Sequence, residues 1–416
     1  MPAEKFRGKT LLLLMAWSCQ ASSAAGGEPS RPFGWRRDGS GLFPEAEPPL
    51  EWNADEGKNI LWKAEVGQSQ SSPIALGGRV LVTAEQDLLV CVERETGKVL
   101  WKRDNGYGAL PAGARIPQKR PPSAPGCGYS TPTPVSDGTF VHACFGTGMA
   151  ASYDLEGRRR WVRLIEMEQA SEYGRSASPV LAGGKLILSL GGLVALDPAD
   201  GRTLWEAKEP ASSFGTPAVT RIGNVDVLVT PMGDCVRVAD GKVLASGMAK
   251  VKYVSPIVSD GLVIFGGSPI AAWRLPEKAG ESAPFAKLWT NEDVEGECFA
   301  SPVCLDGLVY LATNDGKFFI LDEKTGTTVS QKEIEIPSAG GEISAEPANI
   351  YPSLTLVGKH LLLSNDAGHT LVLKPGREYS RVGRNSLDSG TGSSPAALGK
   401  QLFLRGGKWL YCIGAK

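Results

Sequence analysis

Histidine is scarce in this sequence, with only His142, His360 and His369 in 416 residues, and no two of them have a His-x-x-x-His spacing. Metal or general-base chemistry built on histidine therefore has little material, and all three read as half-buried or turn residues, His142 and His360 within strands. None of the eight cysteines forms a Cys-x-x-Cys pair. That leaves a zinc ribbon, a thioredoxin-like site and covalent haem attachment without support. Net charge is also missing: 44 Lys+Arg stand against 45 Asp+Glu, so no overall field attracts nucleic acid or an anionic membrane. No segment is apolar for the ~20 residues a membrane helix needs, and no helical period of useful length appears.

Turn formers are abundant instead, with 51 Gly and 29 Pro, and a hydrophobic content of 42% supports a buried core. The first residues differ from the rest. Lys5, Arg7 and Lys9 precede an apolar run over 11–17 and then small residues 21–25. This is the pattern of a secretory signal over residues 1–25, with cleavage between Ala24 and Gly27, and it predicts export to the periplasm or cell envelope. Cys19 ends the apolar run and offers lipid anchoring as an alternative, against which stands bulky Trp17 two places earlier. Seven cysteines remain after cleavage, an odd number that cannot pair completely. Cys127–Cys144 or Cys298–Cys304 could bridge, whereas Cys91 and Cys412 read as small hydrophobes in apolar strands.

Internal repetition dominates the remainder of the chain. A Ser/Thr/Tyr-Pro step leading into a short apolar run recurs eight times, with its prolines at 73, 132, 179, 217, 256, 302, 352 and 395. The first and last are seven intervals apart, a mean of 46 residues, close to the ~40–50 of a four-stranded propeller blade. Each unit continues through a Gly or Asp-Gly turn, a second strand, a polar turn such as residues 93–98 or 197–202, and a strand that often carries Leu-Trp. Asp and Gly accept positive φ, so turns centred on them between short apolar strands are hairpin signals.

The predicted fold is therefore all-β, a single eight-bladed propeller of four-stranded blades over 59–416, with seven blades as the alternative. The last unit stops at Ile413 without a Leu-Trp strand, and residues 59–64 supply one from the other end. An N-terminal strand completing the last blade closes the ring and leaves no open edge. Residues 26–58 are expected to wrap the outside as an extension. The insertion 106–127, with five prolines and four glycines, is expected to overhang one face as a cover or as a disordered segment.

The runs Thr-Gly-Lys-Val-Leu-Trp (96–101) and Asp-Gly-Arg-Thr-Leu-Trp (200–205), with the Ser-Pro steps, resemble the repeat of the PQQ-like propeller family over roughly 33–414. That family includes quinoprotein alcohol dehydrogenases and the propeller lipoprotein of the outer-membrane barrel assembly machinery. Residues 33–41 and 410–414 also resemble an exported subgroup common in planctomycete-type bacteria. The dehydrogenases imply a cofactor held on a tryptophan floor under a vicinal disulfide, with calcium and a catalytic Asp. This chain has no adjacent Cys-Cys pair, and none of its residues matches those catalytic positions. Fold resemblance does not carry function with it.

Two motifs reduce to turn chemistry. Residues 146–151 match a dinucleotide pattern, but a strand residue follows where a helix is required. Asp315-Gly316 and Asp366-Ala367-Gly368 lack the dense oxygen ligands of a calcium loop. No catalytic or metal site is expected, and no cofactor, except PQQ with calcium under the rival reading of a quinoprotein oxidoreductase.

The candidate site comes from aligning the eight prolines. Three residues before them stand Gln70, Tyr129, Ser176, Phe214, Tyr253, Phe299, Asn349 and Gly392, four of them aromatic against 7% in the chain. These positions are expected at the channel mouth, where rings either stack on a ligand or wedge neighbouring blades together. Arg175, Lys252 and Glu297 alongside would supply polar contacts. The favoured reading is a non-catalytic scaffold binding a protein or small ligand on its loop-rich face, as a monomer and without nucleic acid. Cell-envelope assembly is the setting that the resemblance implies for it.

Overall fold

The computed structural model describes residues 32–123, 127–166, 174–210, 214–279, 285–338 and 349–415; the expected signal segment lies outside them. Eight sheets form among these residues. Blade 1 is the antiparallel meander Ile74–Leu76, Arg79–Ala84, Leu88–Glu93, Val99–Asp104. Blades 2 to 7 repeat it over 135–164, 180–207, 218–245, 257–291, 303–333 and 355–386. Residues 146–151 are a blade hairpin, since Met149–Asp154 is a strand.

Blade 8 joins the two ends of the chain. Ala396–Leu398, Gln401–Gly406 and Trp409–Ile413 take Ile60–Glu65 as their fourth strand, antiparallel to the third. The eight-bladed ring closes as expected, and its seam carries an added tie. Arg405 of blade 8 is buried and donates to the carbonyls of Thr83 (2.8 Å) and Gly67 in the blade 1 region. Desolvation lowers its pKa to about 9.

Strand alternation explains the Leu-Trp signature. In the outermost strands Leu100, Leu204 and Leu288 face solvent, and the neighbouring tryptophan turns inward against the next blade. The indole N–H of Trp62, Trp101, Trp161, Trp205 and Trp289 each donates to a carbonyl in a polar turn of the following blade, at 2.8–3.1 Å. A glycine at positive φ lies under each ring. At Gly326 (φ 72°) a Cβ would collide with the Trp289 ring. These clamps lock blades 8 to 1, 1 to 2, 2 to 3, 3 to 4 and 5 to 6. Between blades 6 and 7 the core is filled instead by Tyr310 and Phe318, with Tyr379 packed against them.

Residues 26–58 were expected to wrap the outside, but Phe33 to Phe43 instead cross the innermost strands from blade 2 to blade 7. Phe33 exchanges backbone hydrogen bonds with Ser136 of blade 2, and Leu42–Phe43 pairs in parallel with Leu356 and Val357 of blade 7. Between them Arg36, only 2% exposed, donates to the carbonyls of Pro302 (2.8 Å) and Leu354 (2.8 Å) in blades 6 and 7. Its guanidinium sits 5.3 Å from the Trp35 ring, and desolvation lowers its pKa to about 9, partly opposed by Asp38. Gly41 (φ 76°) leaves the room this needs, because a Cβ there would overlap the guanidinium. Trp52 is buried between blades 7 and 8, with its backbone N–H on Asn385 at 2.8 Å.

Candidate functional site

The innermost strands begin with a Ser or Thr whose hydroxyl ties its blade to the one before. The N–H of Ser72 donates to Thr133 Oγ1, that of Thr133 to Ser178 Oγ, and that of Ser178 to Thr216 Oγ1, each at 3.0 Å. The series continues from Thr216 through Ser255, Ser301 and Ser353 to Ser394, at 2.8–3.0 Å. Ser394 closes it by donating to Ser72 Oγ at 2.9 Å. Eight bonds thus circle the channel in a closed ring. In seven blades a proline follows the ring residue, which biases that residue to the extended conformation; in blade 7 Leu354 takes the place.

This ring fixes the true register of the repeat and corrects it in two blades. In blade 2 the ring residue is Thr133, before Pro134 rather than Pro132, and in blade 7 it is Ser353 rather than Tyr351. Two places before the ring the mouth residues are therefore Gln70, Thr131, Ser176, Phe214, Tyr253, Phe299, Tyr351 and Gly392. All eight line one cavity of about 530 Å³ above the hydroxyl ring. Trp35 of the crossing segment and Cys127 of the long loop also line it.

The aromatic members form an unbroken arc over blades 4 to 7. Phe214 and Tyr253 are stacked with centroids 5.3 Å apart, Tyr253 and Phe299 meet edge-on at 4.8 Å, and Phe299 and Tyr351 are tilted at 4.9 Å. The other half of the mouth is polar or bare. Gln70 accepts the N–H of Gly392, Thr131 donates to the carbonyl of Cys127, and Ser176 donates to that of Phe214 at 3.2 Å. Among the described residues, the lining contains no Asp, Glu, Lys, Arg or His.

Phe214, Tyr253 and Phe299 thus share the cavity, and Tyr129, Arg175, Lys252 and Glu297 are outside its lining. Tyr129 lies back from it, its hydroxyl on the carbonyl of Pro121 (2.9 Å) and its ring under Arg120 at 5.2 Å. The Arg175 guanidinium lies against Gly148 in blade 2, where burial lowers its pKa. Lys252 and Glu297 are exposed; the Lys252 carbonyl accepts from the lining residue Phe214 (2.9 Å), whereas that of Glu297 accepts from Asn314 (2.7 Å), outside the lining. Tyr351 was missed because Pro352 precedes its ring serine. The doubled Thr-Pro at 131–134 was the available signal that the register in blade 2 had a second solution.

The long loop is anchored beside the polar half. Arg120 pairs with Asp87 at 3.2 Å, and Glu85 accepts the N–H groups of Tyr129 and Ser130, both at 2.7 Å. Burial raises the Asp87 carboxyl to about 6 despite Arg120 and a hydrogen bond from Thr147. Residues 124–126 fall outside the described part. His142 is fully buried beside Trp161, and burial lowers its pKa to about 4. All seven cysteines of the described residues are free, so neither Cys127–Cys144 nor Cys298–Cys304 is bridged. Burial raises the pKa of the Cys127 thiol.

Residues 51–251 match the family described as outer membrane protein assembly factor BamB. The match covers just under half of the chain, and over that part the repeat is similar to that of PQQ-like β-propellers. The curated BamB of Shewanella oneidensis is 21% identical to the propeller over 72% of each chain. The serine/threonine-protein kinase AfsK of Streptomyces griseus is 25% identical over 66% of the propeller chain, which spans about a third (32%) of the kinase's own length. Among solved structures, BamB from Moraxella catarrhalis superposes with a TM-score of 0.59 at 13% identity, covering 86% of this chain and 97% of that one. A europium-containing methanol dehydrogenase gives 0.60 at 11% identity, covering 91% and 89%. At such identities the superpositions describe the fold, which binding proteins and enzymes share.

Proposed function

We propose that this protein is a non-catalytic, exported propeller that binds a ligand or partner at the channel mouth, in the cell envelope. The observation that carries the reading is the character of the cavity, a continuous aromatic arc facing uncharged hydrogen-bonding groups. PQQ is a multiply charged carboxylate held with a divalent cation. A lining without Lys, Arg, Asp or Glu among the described residues offers no counter-charge to its carboxylates and no carboxylate to neutralise the cation, so the donor set favours binding over quinoprotein dehydrogenation. Export is supported by the basic, apolar and small-residue succession at 5–25, and by the family description naming an outer-membrane assembly factor.

Adding PQQ and calcium to the purified protein and following dye reduction tests the non-catalytic part. No dye reduction is expected, and a quinone absorption band accompanied by turnover overturns it. Cell fractionation with mass spectrometry of the mature N-terminus tests export. A protein recovered from the cytoplasm with residues 1–25 intact refutes it.

A further inference from the structure

Resting on that reading, we infer that the mouth cavity takes a neutral saccharide, seated with one sugar face against the aromatic arc and its hydroxyls toward the ring and the polar half-rim. A pyranose has an apolar face of C–H groups, which packs on aromatic rings, and a periphery of hydroxyls that both donate and accept. The cavity reproduces that division. Phe214, Tyr253, Phe299 and Tyr351 make one wall, and Thr131 and Ser176 present neutral oxygens on the other.

The base supplies donors. Each ring hydroxyl accepts a backbone N–H, and none of the eight donates its own hydrogen to an acceptor among the described residues. Eight O–H donors around one axis suit a ligand rich in oxygen acceptors. A cavity of about 530 Å³ lies within the range of small-molecule sites. The absence of any charged lining residue among those described selects against uronic acids and amino sugars, which would lose hydration without gaining a counter-charge. Trp35 places an indole in the same cavity.

The full chain is titrated calorimetrically with maltotriose, cellotriose, triacetylchitotriose and, as the charged control, trigalacturonate. At least one neutral trimer is expected to bind one to one and at least about 10-fold more tightly than trigalacturonate. Tyr351→Ala truncates a ring already 40% exposed, and Phe299→Leu keeps the volume apolar. Both are expected to weaken binding at least about 10-fold while the protein still melts cooperatively. Failure of every neutral trimer to bind, or binding that neither variant changes, overturns the saccharide assignment. An aromatic-rich tripeptide added in parallel separates failure of the sugar from failure of the site. If it binds and both variants abolish that, the mouth is a binding site for peptide rather than sugar; if neither probe responds to the variants, both readings fall.

Discussion

The two halves of the propeller hold their blades together differently. Blades 8, 1, 2 and 3 each send a tryptophan from the outer strand into the next blade (Trp62, Trp101, Trp161, Trp205), and over these blades the mouth is polar or bare. Among the described residues blades 4 to 7 have one such clamp, Trp289, and there the mouth carries four rings in successive contact. The rings bridge blades 4 to 5, 5 to 6 and 6 to 7, and the first and last of these contacts lack an outer tryptophan. Indole clamps are fewer over this half and rings line its mouth, where they can serve blade cohesion and recognition together. The wedging and binding roles weighed from sequence are thus compatible in the same side chains.

The largest expected effect breaks the clamped half. Trp101→Ala removes a buried indole and its hydrogen bond, with nothing at the mouth to compensate, and is expected to cost roughly 3–5 kcal/mol in thermal or denaturant unfolding. Trp289→Ala is expected to cost less, because Tyr253 and Phe299 still join the same two blades; an equal or larger loss removes the arc's cohesive role. The hydroxyl ring runs under both halves, so Ser301→Ala and Ser72→Ala should each cost about 1–3 kcal/mol by leaving a buried N–H without its acceptor. A clear difference between them would show that the foundation is not uniform.

Acid sharpens the contrast, since the buried shifted groups Asp87 and His142 belong to the clamped half. The Asp87 carboxyl is raised from 3.8 to about 6. Its contribution is fully present below pH 3.8 and is lost as pH rises through 6, by an amount on the order of 3 kcal/mol. His142 is lowered from 6.5 to about 4; its contribution is present above pH 6.5 and is lost as pH falls through 4, on the same order. The two oppose each other between pH 4 and 6. Asp87→Asn should therefore steepen the loss of stability in that window, and His142→Phe should turn it into a gain, both read from melting temperature against pH. The smallest effect belongs to Tyr351→Ala, expected to change stability by less than about 1 kcal/mol because its ring is part exposed. A larger fall would make that ring a structural wedge.

Much of this architecture was legible because it is written in the chain itself. Prolines at a mean spacing of 46, Asp-Gly turns and Leu-Trp strands are local signals, and the unfinished unit at Ile413 named its own missing strand. The hydroxyl ring was visible only as Ser or Thr before proline, since its bonds join residues 38 to 61 positions apart and one of 322 across the seam. The same long range explains the register errors at Tyr129 and Asn349. Where Thr131-Pro132-Thr133-Pro134 offers two equivalent steps, only the neighbouring blade decides between them. Arg36 had no local signature of burial at all, because one arginine of the pair Arg36-Arg37 reads as surface until its two carbonyl partners appear from blades 6 and 7.

That arginine and Gly41 decide what kind of container the channel is. A bore open at both ends would let small solutes drift through and would exchange its contents from either face. With residues 33–41 running from blade 2 to blade 7 across the innermost strands, chain crosses that end of the ring, and among the described residues the mouth becomes the main doorway. Residence time then depends on the doorway, whose frame on one side is the aromatic arc. Displacing the Arg36 guanidinium with Gly41→Ala should loosen that crossing and let contents exchange through the end it covers as well.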